Sequence, residues 1–311
     1  MGSSAGSWGM FRASRRLRAN RLLLPKDALK GEFMFEKIRK LFERKPEPPV
    51  RDMAALVAPL MAPAIQVFTS PRPAYSYFGG DPGLPSTVAW PQKDGRRLDF
   101  LARLSLAELR AAHPVEWLPH EGALLFFYDI QEGPWGFDPK DRGSFAVLHV
   151  PDIVAPLADG PGESLLAWPA RRGIAFRRID IPPSWEHAGY EALGLGEREW
   201  EALSDLKAAP FGGRAVHQVA GFPDPVQGDH MELECQLVTH GLYCGDARGY
   251  KDPRAKALEA DAKHWKLLFQ MDSDDELGLM WGDVGKLYFW VEESRGRAGD
   301  FSNAWMISQC H

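Results

Sequence analysis

The sequence predicts an α+β fold, mainly β: two related antiparallel β-rich halves packed into one domain with a few peripheral helices. Three observations predict it. The 311 residues include 11 Trp and 17 Phe, and aromatics suit pleated, half-buried strands. The 25 Pro and 30 Gly imply many turns between short elements. An ordered set of signals also occurs twice. Gly79-Gly80-Asp81-Pro82, Phe100 to Ser105 and Gly122 to Asp129 are answered by Ala220-Gly221-Phe222-Pro223, Leu267 to Asp272 and Gly285 to Glu292. Each set is a Gly/Pro turn, a buried strand and a Gly-started aromatic strand, so an internal duplication is expected.

Residues 1–49 read as a disordered or weakly helical N-terminal extension. Arg12, Arg15, Arg16, Arg18 and Arg21 precede only Leu22-Leu23-Leu24, too short an apolar core for a secretory signal. Met34 is an alternative start. Phe35 to Phe42 has helical apolar spacing, and Lys45-Pro-Glu-Pro-Pro49 reads as a stiff linker. The folded domain is expected over 50–311, with halves at roughly 64–150 and 215–311 and a helical connection at 184–208.

Within that domain, Asp52 can cap a short helix through Val57, stopped by Pro59. Ala64 to Thr69 reads as a strand. Leu98 to Leu106 is apolar on both faces and reads as a central strand, followed by a helical turn or two over Ala107 to Ala112. Gly122 to Asp129 is an aromatic strand, Trp135 to Gly143 a loop, and Phe145 to Val150 and Gly173 to Ile181 strands. Ser184 to Leu193 and Glu197 to Leu206 read as helices split by Gly194 and Gly196. His230 to Leu237 alternates and reads as a strand. Asp252-Pro253 opens a helix through Ala262. Strands at Trp265 to Met271, Lys286 to Val291 and Ala304 to Gln309 close the chain.

The bulk numbers narrow the function. Hydrophobic residues at 45% and charged residues at 25% are ordinary for a globular protein. A net charge of −5 gives no support for nucleic-acid binding, which needs a positive face. The densest internal basic cluster, Arg171, Arg172, Arg177 and Arg178, reads as a solvated strand edge. No apolar run is long enough for a bilayer, so no membrane partner is expected. Three cysteines, Cys235, Cys244 and Cys310, without a CxxC suit reduced thiols and a cytoplasmic location. A Cys235–Cys244 bridge is the less favoured alternative.

Several segments together resemble a known family. They are Gly80 to Pro85 with Trp90-Pro91, Leu118 to Phe127, Gln218 to Gly228, Glu232 to Gln236, Leu267 to Asp275, Met280 to Gly285, Asp300-Phe-Ser and Gln309-Cys310. From about residue 50 onward the chain resembles the YwqG-like family of bacterial domains of unknown function. The resemblance implies a mainly β fold with two related halves and supplies no reaction. It also implies Gln and Asp in both copies. Here the second copy has them as Gln270 and Asp272, while the first has Arg103 and Ser105, so a single functional site is expected beside the second copy.

Two polar clusters could carry chemistry. Asp272, Asp274, Asp275 and Asp283 are oxygen donors of the kind that hold hard divalent cations. Leu277 stands where an EF-hand loop needs Gly, and Leu279, Met280 and Trp281 do not suit a ligand loop, so that motif is not expected. The alternative is an acidic turn whose Asp side chains accept local backbone N–H bonds. In the second cluster, Glu232 and Glu234 share a face with His230 and Gln236 if the segment is a strand, beside Gln227. A carboxylate pair with a His could do acid–base work, or be one solvated face of a one-sided sheet. His217, Gln270 and Trp281 complete the candidate ligand-binding set with Gln227, Glu232, Glu234 and Asp272. No nucleophile elbow, P-loop or dinucleotide fingerprint occurs. The expected function is therefore a binding or interaction protein, accessory or immunity-like, for an unknown protein or small-molecule partner, with no cofactor. The alternative is a metal-assisted hydrolase using Asp272, Asp274, Asp275 and Asp283 with a divalent cation.

Overall fold

The computed structural model describes residues 49–72, 74–151 and 171–311. The extension before residue 49, including the Phe35 to Phe42 segment, lies outside the described residues. Twelve strands are described: β1 (Ala62–Thr69), β2 (Tyr77–Phe78), β3 (Gln92–Lys93), β4 (Arg96–Arg97), β5 (Asp99–Ser105), β6 (Ala123–Tyr128), β7 (Phe145–Val150), β8 (Arg172–Ile181), β9 (Gln218–Val219), β10 (Trp265–Asp272), β11 (Lys286–Glu292) and β12 (Trp305–Gln309). The α-helices are α1 (Met53–Val57), α2 (Leu106–Ala112), α3 (Glu197–Ala208), α4 (Met231–Thr239), α5 (Ala247–Lys251), α6 (Ala255–Leu258) and α7 (Glu293–Ala298).

Ten strands form one antiparallel sheet in the order β12-β11-β10-β9-β1-β8-β2-β5-β6-β7, and β3 and β4 make a separate hairpin. At its middle, β1 pairs with β8 along its whole length, Ala62 opposite Ile181 through Thr69 opposite Ile174. Moving outward from that pair, both arms present a two-residue strand, a bulged strand, a buried aromatic strand and an edge strand. The bulges fall between Phe100 and Ala102 in β5 and between Leu267 and Phe269 in β10.

The sheet curls into a near-barrel because its two arms share one apolar filling. β5, β6, β10 and β11 are buried over almost every residue, as strands covered on both faces must be. Phe126 of β6 packs against Phe269 and Phe289 of the other arm, with ring centroids 4.9 and 5.2 Å away. At the open seam, Phe145 of β7 meets Trp305 of β12 edge to face at 5.0 Å. The Trp135 to Gly143 loop lies along that seam. Ser308 N–H donates to the Trp135 carbonyl at 2.9 Å, and Trp305 Nε1–H donates to the Gly136 carbonyl at 2.7 Å.

Most elements lie where the pattern placed them, and Asp52 does cap α1, accepting from Ala55 N–H at 3.2 Å. Four expectations are corrected. His230 to Leu237 is not a strand; residues 231–239 are α4. Met231, Cys235 and Val238 recur at i, i+4 and i+7 and are buried, and Glu, Leu, Met and Gln are good helix formers. The alternation that suggests a strand is local, and the helical stripe wins because it meets the core. Ser184 to Leu193 is helical only over the 3-10 turn Ala188–Leu193. The helix expected after Asp252 is short, Ala255–Leu258, and continues as 3-10 turns over Glu259–His264. Three of the clustered arginines, Arg172, Arg177 and Arg178, sit on β8 at the centre of the sheet and not on an edge, and Arg171 immediately precedes it. Arg177 donates to Gln66 Oε1 at 2.6 Å, Arg178 pairs with Asp180 at 2.7 Å, and Arg171 lies 3.9 Å over the Tyr77 ring. The three cysteines are free thiols, two of them buried. Among the described residues no helix is long and apolar enough to cross a membrane.

Candidate functional site

The end of β1, the segment Gly213 to His217 and the acidic turn after β10 enclose a cleft of about 480 Å³. Its lining includes His217, Ser273, Asp274, Asp275 and Glu276, with Arg214, Met280 and Val284. Met280 and Val284 are 54% and 52% exposed, unusual for apolar side chains beside charged ones. Val284 also holds a positive φ of 48°, a strained position for a β-branched residue.

The acidic run folds as a turn because its own side chains satisfy it. Asp274 Oδ1 accepts the Glu276 N–H at 2.8 Å and the Leu277 N–H at 3.3 Å. Asp274 and Leu279 exchange backbone hydrogen bonds, both at 2.9 Å. Ser273 Oγ donates to the Gly285 carbonyl at 2.8 Å and accepts the Trp281 N–H at 3.0 Å. Trp281 is buried; its indole N–H donates to the Asp272 carbonyl at 3.1 Å, and its ring meets Tyr128 edge to face. Thr69 Oγ1 donates to Glu276 Oε1 at 2.9 Å. Asp275 and Asp283 stay exposed.

His217 is 2% exposed and both its ring nitrogens are engaged. Nδ1 accepts the Asp272 backbone N–H at 3.0 Å. That leaves Nε2 to carry the proton and donate to Asp274 Oδ2 at 3.0 Å, a tautomer assigned from these partners. Burial alone would raise the Asp274 carboxyl; the hydrogen bond from His217 and the two backbone N–H bonds outweigh it and hold the group below its ordinary range. A His whose Nδ1 is occupied by a backbone donor is not poised as a general base.

Gln270 and Asp272 act as clamps under the cleft. Buried Gln270 accepts the Asp224 N–H at 2.8 Å and donates to the Val216 carbonyl at 2.7 Å. Asp272 Oδ2 accepts the Val216 N–H at 2.8 Å. The first arm does the same job with different residues. Ser76 Oγ accepts the Ser105 N–H at 2.8 Å, and Glu108 accepts the N–H groups of Tyr75 and Ser76 at 3.1 and 2.9 Å. Asp224 in turn pairs with Lys286 and, at 3.2 Å, with Lys207. Those lysine charges pull its carboxyl below the ordinary range against the opposing effect of burial.

The structure therefore joins His217, Gln270, Asp272, Asp274 and Trp281 through hydrogen bonds, but leaves the other candidates elsewhere. Gln227 is tied to the end of β12, its N–H to Gln309 Oε1 at 3.0 Å and its Nε2 to the Cys310 carbonyl at 2.8 Å. Glu232 and Glu234 lie on the first turn of α4 and share none of the cleft's bonds. Among the described residues no group of three or more His, Cys, Asp or Glu is placed to hold a metal ion. Arg214, Met280 and Val284 line the cleft and are not among the candidate site residues that the sequence suggests. The available signal was an apolar Val in the turn Gly282-Asp-Val-Gly285.

Around α4 the carboxylates are unusual in another way. Burial, with the charges of Asp229 and Glu234 adding to it, raises Glu232 to about 7 from an ordinary 4.5. Burial also raises Glu234, opposed by the Tyr250 hydroxyl that donates to it at 2.9 Å. A carboxyl raised by folding keeps its proton in the folded chain, so its stabilising contribution is complete below about pH 4.5 and is lost as pH rises through about 7. Stability should fall across that window. A Glu232→Gln chain should show a shallower slope and gain on the order of 2 kcal/mol at neutral to mildly alkaline pH. Urea unfolding at about pH 5 and about pH 8 checks this; parallel pH curves for the two chains would refute it.

A family model described as Domain of unknown function (DUF1963) matches residues 76–310. No curated protein matches the chain.

Proposed function

Because the chain belongs to the DUF1963 family of domains of unknown function, we propose its function from the site: it binds a basic, apolar-flanked segment of a partner molecule in the cleft beside the β10 turn. The observation that carries this is the pairing, in one cleft, of Asp275 and Glu276 with the exposed side chains of Met280 and Val284. A cationic group would meet the carboxylates while its apolar neighbour covers Met280 and Val284, and such exposed apolar patches mark interaction sites. His217 and Asp274 serve as the cleft's fixed floor.

The finer reading is a YwqG-like, bacterial, cytoplasmic protein of accessory or immunity-like role. The segments Gly80 to Pro85, Gln218 to Gly228 and Leu267 to Gly285 support the family subdivision, and the free thiols support a reducing compartment. The two halves are read as a duplication. The mirrored strand order, the matching bulges and the paired positive-φ turns at Gly79-Gly80 and Ala220-Gly221 support it. The partner is read as a protein or small molecule, and the net charge of −5 argues against nucleic acid.

Titration calorimetry with short peptides tests the binding role. A Lys/Leu peptide should bind, and its Glu/Leu counterpart should not. Asp275→Lys and Met280→Ser should each weaken binding about tenfold, the loss of one charged or buried contact. Equal binding of both peptides would sink the idea. A rise in Tm with Mg²⁺, Ca²⁺, Mn²⁺ or Zn²⁺ that disappears in an Asp272→Ala/Asp274→Ala chain would favour the metal-assisted hydrolase instead.

A further inference from the structure

A second cleft, of about 350 Å³, opens at the C-terminal end of α2. It carries the opposite charge to the first and shares no residue with it. Leu106, Leu109 and Leu118 form its floor, at 2%, 2% and 5% exposed, and Val115 lines one side. Pro114 and Pro119 stiffen the segment that frames it. The far wall is Arg297 of α7, whose guanidinium donates to the Glu116 carbonyl at 3.0 Å and pairs with Glu293 at 2.8 Å. Helix α7 lies so close to that segment that a Cβ on Gly296 would stand 2.8 Å from the Trp117 carbonyl oxygen.

Arg110, His113 and His120 also line the cleft. Among the described residues, nothing pairs with their side chains. One acid, Glu116, lines the same cleft and is exposed. The ordinary role for a basic residue in a helix's last turn is to offset the carbonyl end of the helix. That role does not account for two further imidazoles gathered over a leucine floor.

We propose that this cleft binds a small amphipathic carboxylate, with Arg110 meeting the carboxylate and Pro114, Val115 and Pro119, above the buried Leu106, Leu109 and Leu118 floor, taking its apolar tail. The size follows from the volume. At roughly 30 Å³ per non-hydrogen atom, the share of one water in the liquid, the cleft holds about a dozen such atoms. Arg110 offers the planar fork that carboxylates prefer. An apolar floor with a few convergent polar groups is the usual make-up of a small-molecule site. The inference stands apart from the acidic cleft, and either can fail alone.

Titration calorimetry on the full chain tests it with three probes: decanoate, which has the required size, decanol, which lacks the charge, and inorganic phosphate, which lacks the tail. Decanoate below its micellar range should bind saturably at one site. Decanol and phosphate should each bind at least about tenfold more weakly, as loss of a charged hydrogen bond or of the buried tail requires. Arg110→Glu, a surface change, should weaken decanoate at least about tenfold. Val115→Trp, filling the cleft, should abolish binding with an unchanged circular dichroism spectrum. No saturable decanoate binding, binding indifferent to Arg110→Glu, or decanol equal to decanoate would each overturn the proposal.

Discussion

A Phe126→Ala chain should lose about 3–5 kcal/mol of stability, the usual cost of removing a fully buried ring. Phe126 is 0% exposed and contacts Phe269 and Phe289, which belong to the other arm of the sheet. Its removal takes aromatic contact from both arms at once and leaves a cavity that the curled sheet cannot close by moving one strand. Urea unfolding followed by tryptophan fluorescence measures the loss. A Phe126→Leu chain should recover most of it, because a branched aliphatic side chain refills much of the volume. A loss under about 1 kcal/mol for the alanine chain would mean that the ring does not join the two arms.

Gly136→Ala should cost about 2–4 kcal/mol and open the seam between β7 and β12. Two effects add. Gly136 has φ of 82°, a conformation that costs an L side chain about 1–2 kcal/mol. An added Cβ would also stand 1.8 Å from the Met306 carbonyl oxygen, a backbone atom fixed within β12. The loop must then lift off, and the bonds from Ser308 N–H and Trp305 Nε1–H to Trp135 and Gly136 are lost with it. Hydrogen exchange gives the local reading: the Ser308 amide should lose protection well before amides of β10 or β11 do. Uniform loss across all strands would mean that the loop does not seal the seam.

Both effects depend on neighbours far apart in the chain, which is why they were not legible in the sequence. The Trp135 to Gly143 segment reads correctly as a loop, yet nothing in it announces that it will lie against β12, about 170 residues later. The acidic turn after β10 was legible as a pair of alternatives, metal ligands or a self-satisfied turn. Backbone N–H groups of Glu276 and Leu277 take Asp274 Oδ1 and His217 takes Oδ2, so the local alternative describes what these oxygens do. Gln270 and Asp272 were legible as special, because the family resemblance implies a Gln and an Asp in each half and the first half has Arg103 and Ser105 instead. Their clamping of Val216 and Asp224 required the chain to come back beside β10.

The second candidate cluster shows the limit of period counting. His230, Glu232, Glu234 and Gln236 alternate as a strand face would, and Met231, Cys235 and Val238 equally fit a helix. Eight residues hold about two helical turns, too few for either period to dominate. Packing decides, since only the helix buries Cys235 and Val238 together and lets Gln236 accept from the Trp265 indole at 2.8 Å.

The sequence dictates the long strands β5, β6, β10 and β11, because buried β segments of that length must be apolar on both faces. It also determined the turns, through glycine and proline placed where the backbone reverses. Tertiary structure alone decided which polar residues are free to act. His217, Gln270 and Asp272 look reactive in a linear chain and are spent on buried hydrogen bonds, because an unsatisfied polar group inside costs more than any exposed one. Arg110, Met280 and Val284 look ordinary, and folding leaves them exposed beside clefts with nothing yet to cover them.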